Sequence, residues 1–76
     1  MTNEFIDLLK NINPMITDDT VTNLVKSGVI DSLDIMHIVA ILEEKYCIEI
    51  DGDDISIESL ASLQSIWDVV QKSIGG

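Results

Sequence analysis

Residues 32–46 read SLDIMHIVAILEEKY, and this stretch decides the fold. Its apolar residues recur at the three- and four-residue spacing that places side chains on one face of an α-helix. The stripe predicted to face the core consists of Ile35, Ile38, Val39, Leu42 and Tyr46. The opposite side contains Leu33, Met36, His37, Ala40, Ile41 and Glu44. That side is more apolar than a solvent-facing side usually is. It therefore either forms a contact surface or is covered by the other helices.

Two further helices are predicted at the ends of the chain. A helix over residues 3–12 can begin at a Thr2 or Asn3 cap and end at Asn13-Pro14, because proline disfavours helix in the residue before it. A last helix over residues 62–74 can be capped by Ser62. The residues spaced for burial in these helices are Phe5, Leu8, Leu9, Ile12, Leu63, Ile66, Trp67, Val70 and Ile74.

The segments between these helices have weaker signals. Residues 13–31 lack a sustained period and predict a long loop, with a short helical turn near residues 21–26. The alternation in residues 48–50 offers no partner strand, so an extended loop followed by a turn over 51–54 is predicted. A short helix over residues 55–60 would direct Ile57 and Leu60 inward. The expected fold is therefore an all-α, four-helix bundle, with three main helices and one short helix, forming a single domain over residues 1–76.

Fourteen acidic residues against four lysines and no arginine give the chain a formal charge of −10. Such a surface disfavours nucleic acid, whose phosphates are bound by Lys and Arg. It either steers basic protein partners toward the chain or serves only solubility. The chain has a single cysteine, lacks a signal-peptide pattern and has no apolar run of the roughly 18 residues that a membrane span needs. We therefore expect a soluble, cytoplasmic monomer.

The residues most informative about function are 28–34, GVIDSLD, which run directly into the main helix. Ser32 lies where that helix begins, between Asp31 and Asp34. An isolated Asp-Ser-Leu is weak evidence, because Ser and Asp are common at helix starts, where their oxygens cap free backbone amides. The order of elements around the motif makes it far more specific: a helix, a long loop, the Asp-Ser-Leu helix, a short helix and a final helix.

This pattern resembles the acyl carrier protein family, including the related peptidyl carrier domains, over nearly the whole chain. The resemblance implies that Ser32 carries a covalent 4′-phosphopantetheine arm, which holds cargo as a thioester, and that Leu33 adjoins it. It also implies that Asp31 helps a phosphopantetheinyl transferase and its divalent metal to engage. A phosphodiester on Ser32 would lie at a helix N-terminus, where free amides and the helix dipole favour an anion, although Asp31 and Asp34 oppose it in charge.

The resemblance further implies a carrier that performs no catalysis and serves separate loading and transferring enzymes with basic docking patches. The docking residues expected beside the arm are Asp34, Met36, His37, Ala40, Ile41 and Glu44. His37 stands where many fatty-acid carriers have an acidic residue, which favours a specialised carrier. The cargo stays open among fatty acyl, polyketide, aminoacyl and D-alanyl groups.

Other interpretations are weighed beside this one. The chain could be a non-catalytic helical adaptor that uses the same acidic helix face without an arm. An enzyme lacks a convincing set of acid, base and nucleophile, since His37 has no recognisable triad partner. The acidic residues of 49–54 could attract calcium loosely but fail the EF-hand spacing, so a solvated turn is preferred. Cys47 is expected to be a small side chain, either buried or partly exposed, and not the thiol that carries cargo.

Overall fold

The chain folds into three α-helices joined by turns and loops. The computed structural model describes residues 1–17, 19 and 21–75, and within these residues no strand is formed. The all-α class is therefore confirmed, whereas residues 18, 20 and 76 of the expected domain lie outside the described residues. The elements in chain order are α1 (Asn3–Ile12), α2 (Ser32–Tyr46), a 3₁₀ turn (Gly52–Asp54) and α3 (Leu63–Gly75).

Local hydrogen bonds explain where the helices begin. Thr2 is the cap of α1, because its Oγ1 accepts from the Phe5 amide at 3.2 Å. Ser62 caps α3 instead of forming its first turn, and its Oγ accepts from the Ser65 amide at 3.2 Å. The predicted bounds of α1 and α2 agree with the structure, and α3 begins and ends one residue later than expected.

The fourth, short helix predicted over residues 55–60 is not formed. The Leu60 amide donates to the Ser56 carbonyl at 3.1 Å, and the Ser59 amide donates to Ser56 Oγ at 3.0 Å. These bonds close one turn that does not continue. A helical nucleus is costly, and so few residues gain too few bonds to offset it. The expected inward position of Ile57 is also wrong, since its side chain is 49% exposed, whereas Leu60 is buried.

All three helices contribute to one core. The Phe5 ring of α1 meets the Trp67 ring of α3 edge-on, with centroids 5.0 Å apart. Lys45 Nζ lies 2.8 Å from Glu4 Oε1, so the end of α2 lies beside the start of α1. Ile74 is 53% exposed, contrary to the prediction for α3, and the helix buries Val69 instead. The fully buried large side chains are Phe5, Leu9, Ile16, Ile38, Leu42, Leu60, Leu63, Ile66 and Val70.

The long loop before α2 is attached to the bundle by its apolar residues and by its backbone. Ile16, Leu24 and Ile30 are buried in the core. A helical turn begins at Asn23, whose Oδ1 accepts from the amides two and three residues later at 3.1 and 2.9 Å. The Leu24 amide donates to the carbonyl of Ala61, just before α3, at 2.6 Å. The loop thereby contributes to the core although most of it is not helical.

Among the residues described by the structure, none of the helices has the length and apolar character that crossing a membrane requires.

Candidate functional site

The backbone reverses direction at Gly28 immediately before the candidate site. Gly28 has φ +81°, a left-handed conformation that residues with a Cβ adopt only with strain. The Gly28 amide donates to the Val25 carbonyl at 3.1 Å, and the Val29 amide donates to the Leu24 carbonyl at 2.9 Å. This pair of bonds is the Schellman arrangement that ends a helical turn. The chain then buries Ile30 and arrives at the start of α2.

Two aspartates fix the first turn of α2. Asp31 is the N-cap, and its Oδ1 accepts from the amides of Leu33 and Asp34, each at 3.0 Å. Asp34 Oδ2 in turn accepts from the Asp31 amide at 3.2 Å, which completes a reciprocal capping box. Both carboxylates thus have a structural reason to be present. The expectation that free amides would favour an anion here needs correction, because Asp31 already satisfies two of them.

Ser32 occupies the first helical position, one residue after the cap. Its side chain is exposed, and within residues 1–17, 19 and 21–75 its hydroxyl makes no hydrogen bond. A serine that served as the cap would accept a bond from an amide of the first turn, as Asp31 does here. Helix capping therefore does not account for the serine. Its hydroxyl is open to approach from solvent.

The side of α2 that follows Ser32 is open to solvent along most of its length. Leu33 is 75% exposed and Met36 is 56% exposed, which is unusual for side chains of this size. Within the described chain, the other helices do not cover this side, so that explanation for its apolar residues is wrong. The remaining exposed residues are His37, Ala40 and Glu44, while Asp34 and Ile41 are half-buried.

Lys45 and Lys72 each pair with a carboxylate outside residues 31–44. The Lys45 ammonium holds the pKa of the Glu4 carboxyl below its usual value, through a hydrogen bond and through charge. Lys72 Nζ lies 3.0 Å from Asp54 Oδ2, and this contact raises the pKa of Lys72. Residues 27–44 contain no lysine or arginine. This stretch therefore contributes carboxylates and His37, but no lysine or arginine, to the surface beside Ser32.

The other candidates from the sequence have ordinary structural roles. Asp51 caps the 3₁₀ turn, with its Oδ1 accepting from the Asp53 amide at 2.9 Å, and Asp54 pairs with Lys72. Among the described residues, no three His, Cys, Asp or Glu side chains are arranged to hold a metal ion. Cys47, which was expected to be buried or partly exposed, is exposed and lies in the left-handed region at the end of α2.

One residue near the site was interpreted from the sequence only as a helix end. Asn13 Nδ2 donates to the Val29 carbonyl at 2.6 Å, and its Oδ1 accepts from the Met15 amide at 2.9 Å. Asn-Pro is a turn signal, which suits the bond to Met15. The bond to Val29 spans 16 residues and ends on a backbone carbonyl. Such a partner has no side-chain identity, so no sequence pattern reveals it.

The predicted site residues all lie at the start of α2 or along it. Asp31, Ser32 and Leu33 lie at the start of α2, and the predicted docking residues follow along the same helix. The described residues enclose no pocket beside them. No protein-family model matches this chain, and no curated protein matches its sequence.

Proposed function

We propose that this chain is a non-catalytic carrier protein that holds acyl or aminoacyl groups as thioesters on a 4′-phosphopantetheine arm attached to Ser32. One observation supports the proposal most strongly. The Ser32 hydroxyl is exposed at the start of α2 and has no structural role there, because Asp31 is the cap. An exposed hydroxyl that the fold does not need is what a modifying enzyme requires.

The residues around Ser32 fit such an arm. Leu33 is largely exposed, so the surface next to the hydroxyl leaves room for a flexible chain. The Asp31 and Asp34 carboxylates keep the first turn of α2 formed through their own hydrogen bonds. The arm, when attached, would supply the terminal thiol that forms the thioester. The chain itself would present the cargo, and the reaction would take place in partner enzymes.

The surface that follows Ser32 suits docking to such partners. We define the docking face as Leu33, Met36, His37, Ala40 and Ile41, with Asp34 and Glu44 at its two ends. Glu44 lies ten positions after Asp34 on α2, which is about 15 Å along the axis. A partner with an apolar centre and basic groups at its rim would complement this surface. Met36 adds a flexible side chain that adapts to different partners.

A helical adaptor without an arm is the alternative that the same docking face would serve. The exposure of Leu33 and Met36 favours partner binding under either proposal. The two differ at Ser32, since an adaptor has no need of its hydroxyl. Partner binding that survives Ser32→Ala unchanged, in a protein that is never modified, would favour the adaptor.

The test is covalent loading in vitro. The purified chain would be incubated with coenzyme A, magnesium and a promiscuous phosphopantetheinyl transferase, and the intact mass would be measured. We expect the gain of one phosphopantetheine in the wild type and no gain in Ser32→Ala. Ser27→Ala is the matched control, because Ser27 is also exposed and lies in the turn before α2. This control should load like the wild type.

A further variant separates two roles of Asp31. One is capping of α2, and the other is the proposed engagement of the transferase and its metal. Asn is as good an N-cap as Asp, so Asp31→Asn keeps the start of α2 while removing one negative charge. Slow loading of a folded Asp31→Asn protein would assign the charge to engagement of the transferase and its metal. Failure of the wild type to gain mass with several transferases would contradict the carrier proposal.

A further inference from the structure

We infer that Asn13 is a positioning residue for Ser32, which it holds in place from the end of α1 through the Val29 carbonyl. This inference rests on the proposed function, because it concerns how Ser32 is presented to the modifying enzyme. Asn13 is remote in sequence and does not touch Ser32. It acts through the segment that leads into α2, residues 28–31.

Asn13 joins two parts of the chain with one side chain. It is the C-cap of α1, and its amide donates to the Leu9 carbonyl at 3.0 Å. Its Oδ1 accepts from Met15, and its Nδ2 donates to the Val29 carbonyl at 2.6 Å. Asn13 is half-buried, so water competes less for this bond than it would on an open surface.

The segment that Asn13 holds has little freedom of its own. The amides of Gly28, Val29, Ile30 and Asp31 all donate to partners within residues 24–34, at 2.9 to 3.2 Å. The segment is thus internally rigid, and its position depends on how it is attached to the rest of the bundle. Burial of Ile30 provides one attachment, and the Leu24 amide provides another by donating to Ala61 near α3. The Asn13 side chain at the end of α1 provides a further polar attachment.

The short distance from Val29 to Ser32 gives this bond its effect. Ser32 lies three positions after Val29, a reach of about 10 Å at most. Loss of the Asn13 donor leaves the Val29 carbonyl without its partner and lets the rigid segment shift relative to α1. Because transfer to a hydroxyl depends steeply on its placement, a displacement of about 1 Å at Ser32 is enough to slow modification strongly.

The experiment compares three variants in the loading assay. Asn13→Ala removes both side-chain bonds, and Asn13→Asp keeps the acceptor for Met15 but places a carboxylate oxygen against the Val29 carbonyl. Asn11→Ala is the matched control, since Asn11 is an exposed asparagine two residues earlier on α1. We expect kcat/KM for loading to fall about tenfold in both Asn13 variants and to stay within about twofold of wild type in Asn11→Ala.

A second measurement reports on position independently of loading. Hydrogen exchange at the Leu33 and Asp34 amides, which Asp31 caps, should accelerate about fivefold in folded Asn13→Ala, while exchange at Val70 in the core changes less. A variant that only lowered global stability would accelerate Val70, in the core, at least as much as the two first-turn amides. If the Asn13 variants do not fold, the wild type still provides a test. Its Asn13 side-chain amide protons should exchange more slowly than those of exposed Asn11.

The outcomes separate this inference from the proposed function. A wild type that is never loaded rejects the carrier, while the exchange data still decide whether Asn13 holds the start of α2. Loading of the wild type together with equal loading of both Asn13 variants overturns the inference and leaves the carrier intact. Equal exchange of the Asn13 and Asn11 side-chain amides in the wild type overturns it as well.

Discussion

The chain enters α2 and leaves it through the same kind of turn, but with different residues at the critical position. We call residues 24–31 the entry segment and residues 43–50 the exit segment. Each passes through the left-handed backbone region, at Gly28 with φ +81° and at Cys47 with φ 54°. Among the described residues, these are the two with positive φ.

The two segments share one hydrogen bond, from an amide to the carbonyl five residues earlier. They differ in another, because the Gly28 amide donates to the carbonyl three residues earlier and the Cys47 amide donates to the carbonyl four residues earlier. In the entry segment the Val29 amide donates to the Leu24 carbonyl at 2.9 Å, and in the exit segment the Ile48 amide donates to the Glu43 carbonyl at 3.1 Å. Each turn is followed by a buried isoleucine, Ile30 or Ile50. On both sides of α2, therefore, a residue with positive φ and this shared bond precede the return of the chain to the core.

The difference between the segments lies in residue choice and attachment. The entry segment uses glycine, which adopts the left-handed region without a Cβ clash, whereas Cys47 bears that strain. The entry segment also has the Asn13 bond from α1. In the exit segment, the Glu43 carboxylate accepts from the Ile50 amide at 2.9 Å. The segment that presents Ser32 is thus the less strained of the two, and the exit segment is where stability can be gained.

The largest change in unfolding free energy is expected from Gly28→Ala, which tests the difference in backbone strain between the two segments. A Cβ at Gly28 meets nothing within 4 Å, so the substitution tests backbone conformation alone. The left-handed region costs a non-glycine residue about 1–2 kcal/mol, partly offset by lower entropy of the unfolded chain. We expect a net loss of about 1 kcal/mol in unfolding free energy, measured by urea denaturation. Gly52→Ala, where φ is not positive, is the control, and equal losses at both glycines would contradict the role given to φ.

A smaller effect of opposite sign is expected from Cys47→Gly. Glycine relieves the left-handed strain but loses more conformational entropy on folding, so the net gain should be about 0.5 kcal/mol in unfolding free energy. Cys47→Ala separates the backbone from the thiol, whose Sγ lies 3.9 Å from the Glu44 carbonyl. The alanine variant should resemble the wild type in urea denaturation. A stabilised alanine variant would indicate that the thiol, and not φ, is the unfavourable feature.

The smallest effect concerns the ion pair that ties the exit side of α2 to α1. Lys45 lowers the pKa of Glu4 below its ordinary 4.5, so the pair stabilises the fold above that pH and loses its contribution as pH falls through the lowered pKa. Glu4 in turn raises the pKa of Lys45, so the same contribution is lost as pH rises through that raised pKa, above 10.5. Both side chains are exposed, so salt should weaken the pair.

The check is the thermal midpoint of wild type and Lys45→Gln as a function of pH. The midpoints should differ most near neutral pH, converge as Glu4 becomes protonated, and differ less at high salt. A difference that stayed constant with pH would mean that Lys45 acts through packing of its alkyl chain instead of its charge.

The three long helices could be predicted from the sequence, and the shorter elements could not. The bounds of α1 and α2 follow from helical spacing and capping residues, whereas the segment around Ile57 has helical spacing but too few residues to propagate a helix. At the site, the position of the residues at the start of α2 could be predicted, but the residue that caps the helix could not. Asp31 and Ser32 are both good capping residues, and only the register of the backbone decides which of them caps.

The edge-on contact between Phe5 and Trp67 has a practical consequence. The chain contains a single tryptophan, and its indole is half-buried where α1 packs on α3. The molecule therefore has a built-in fluorophore whose emission should shift to longer wavelength when those two helices separate. Because α2 contributes neither ring, this optical signal can follow unfolding in unlabelled protein while chemistry at the other helix is monitored by mass.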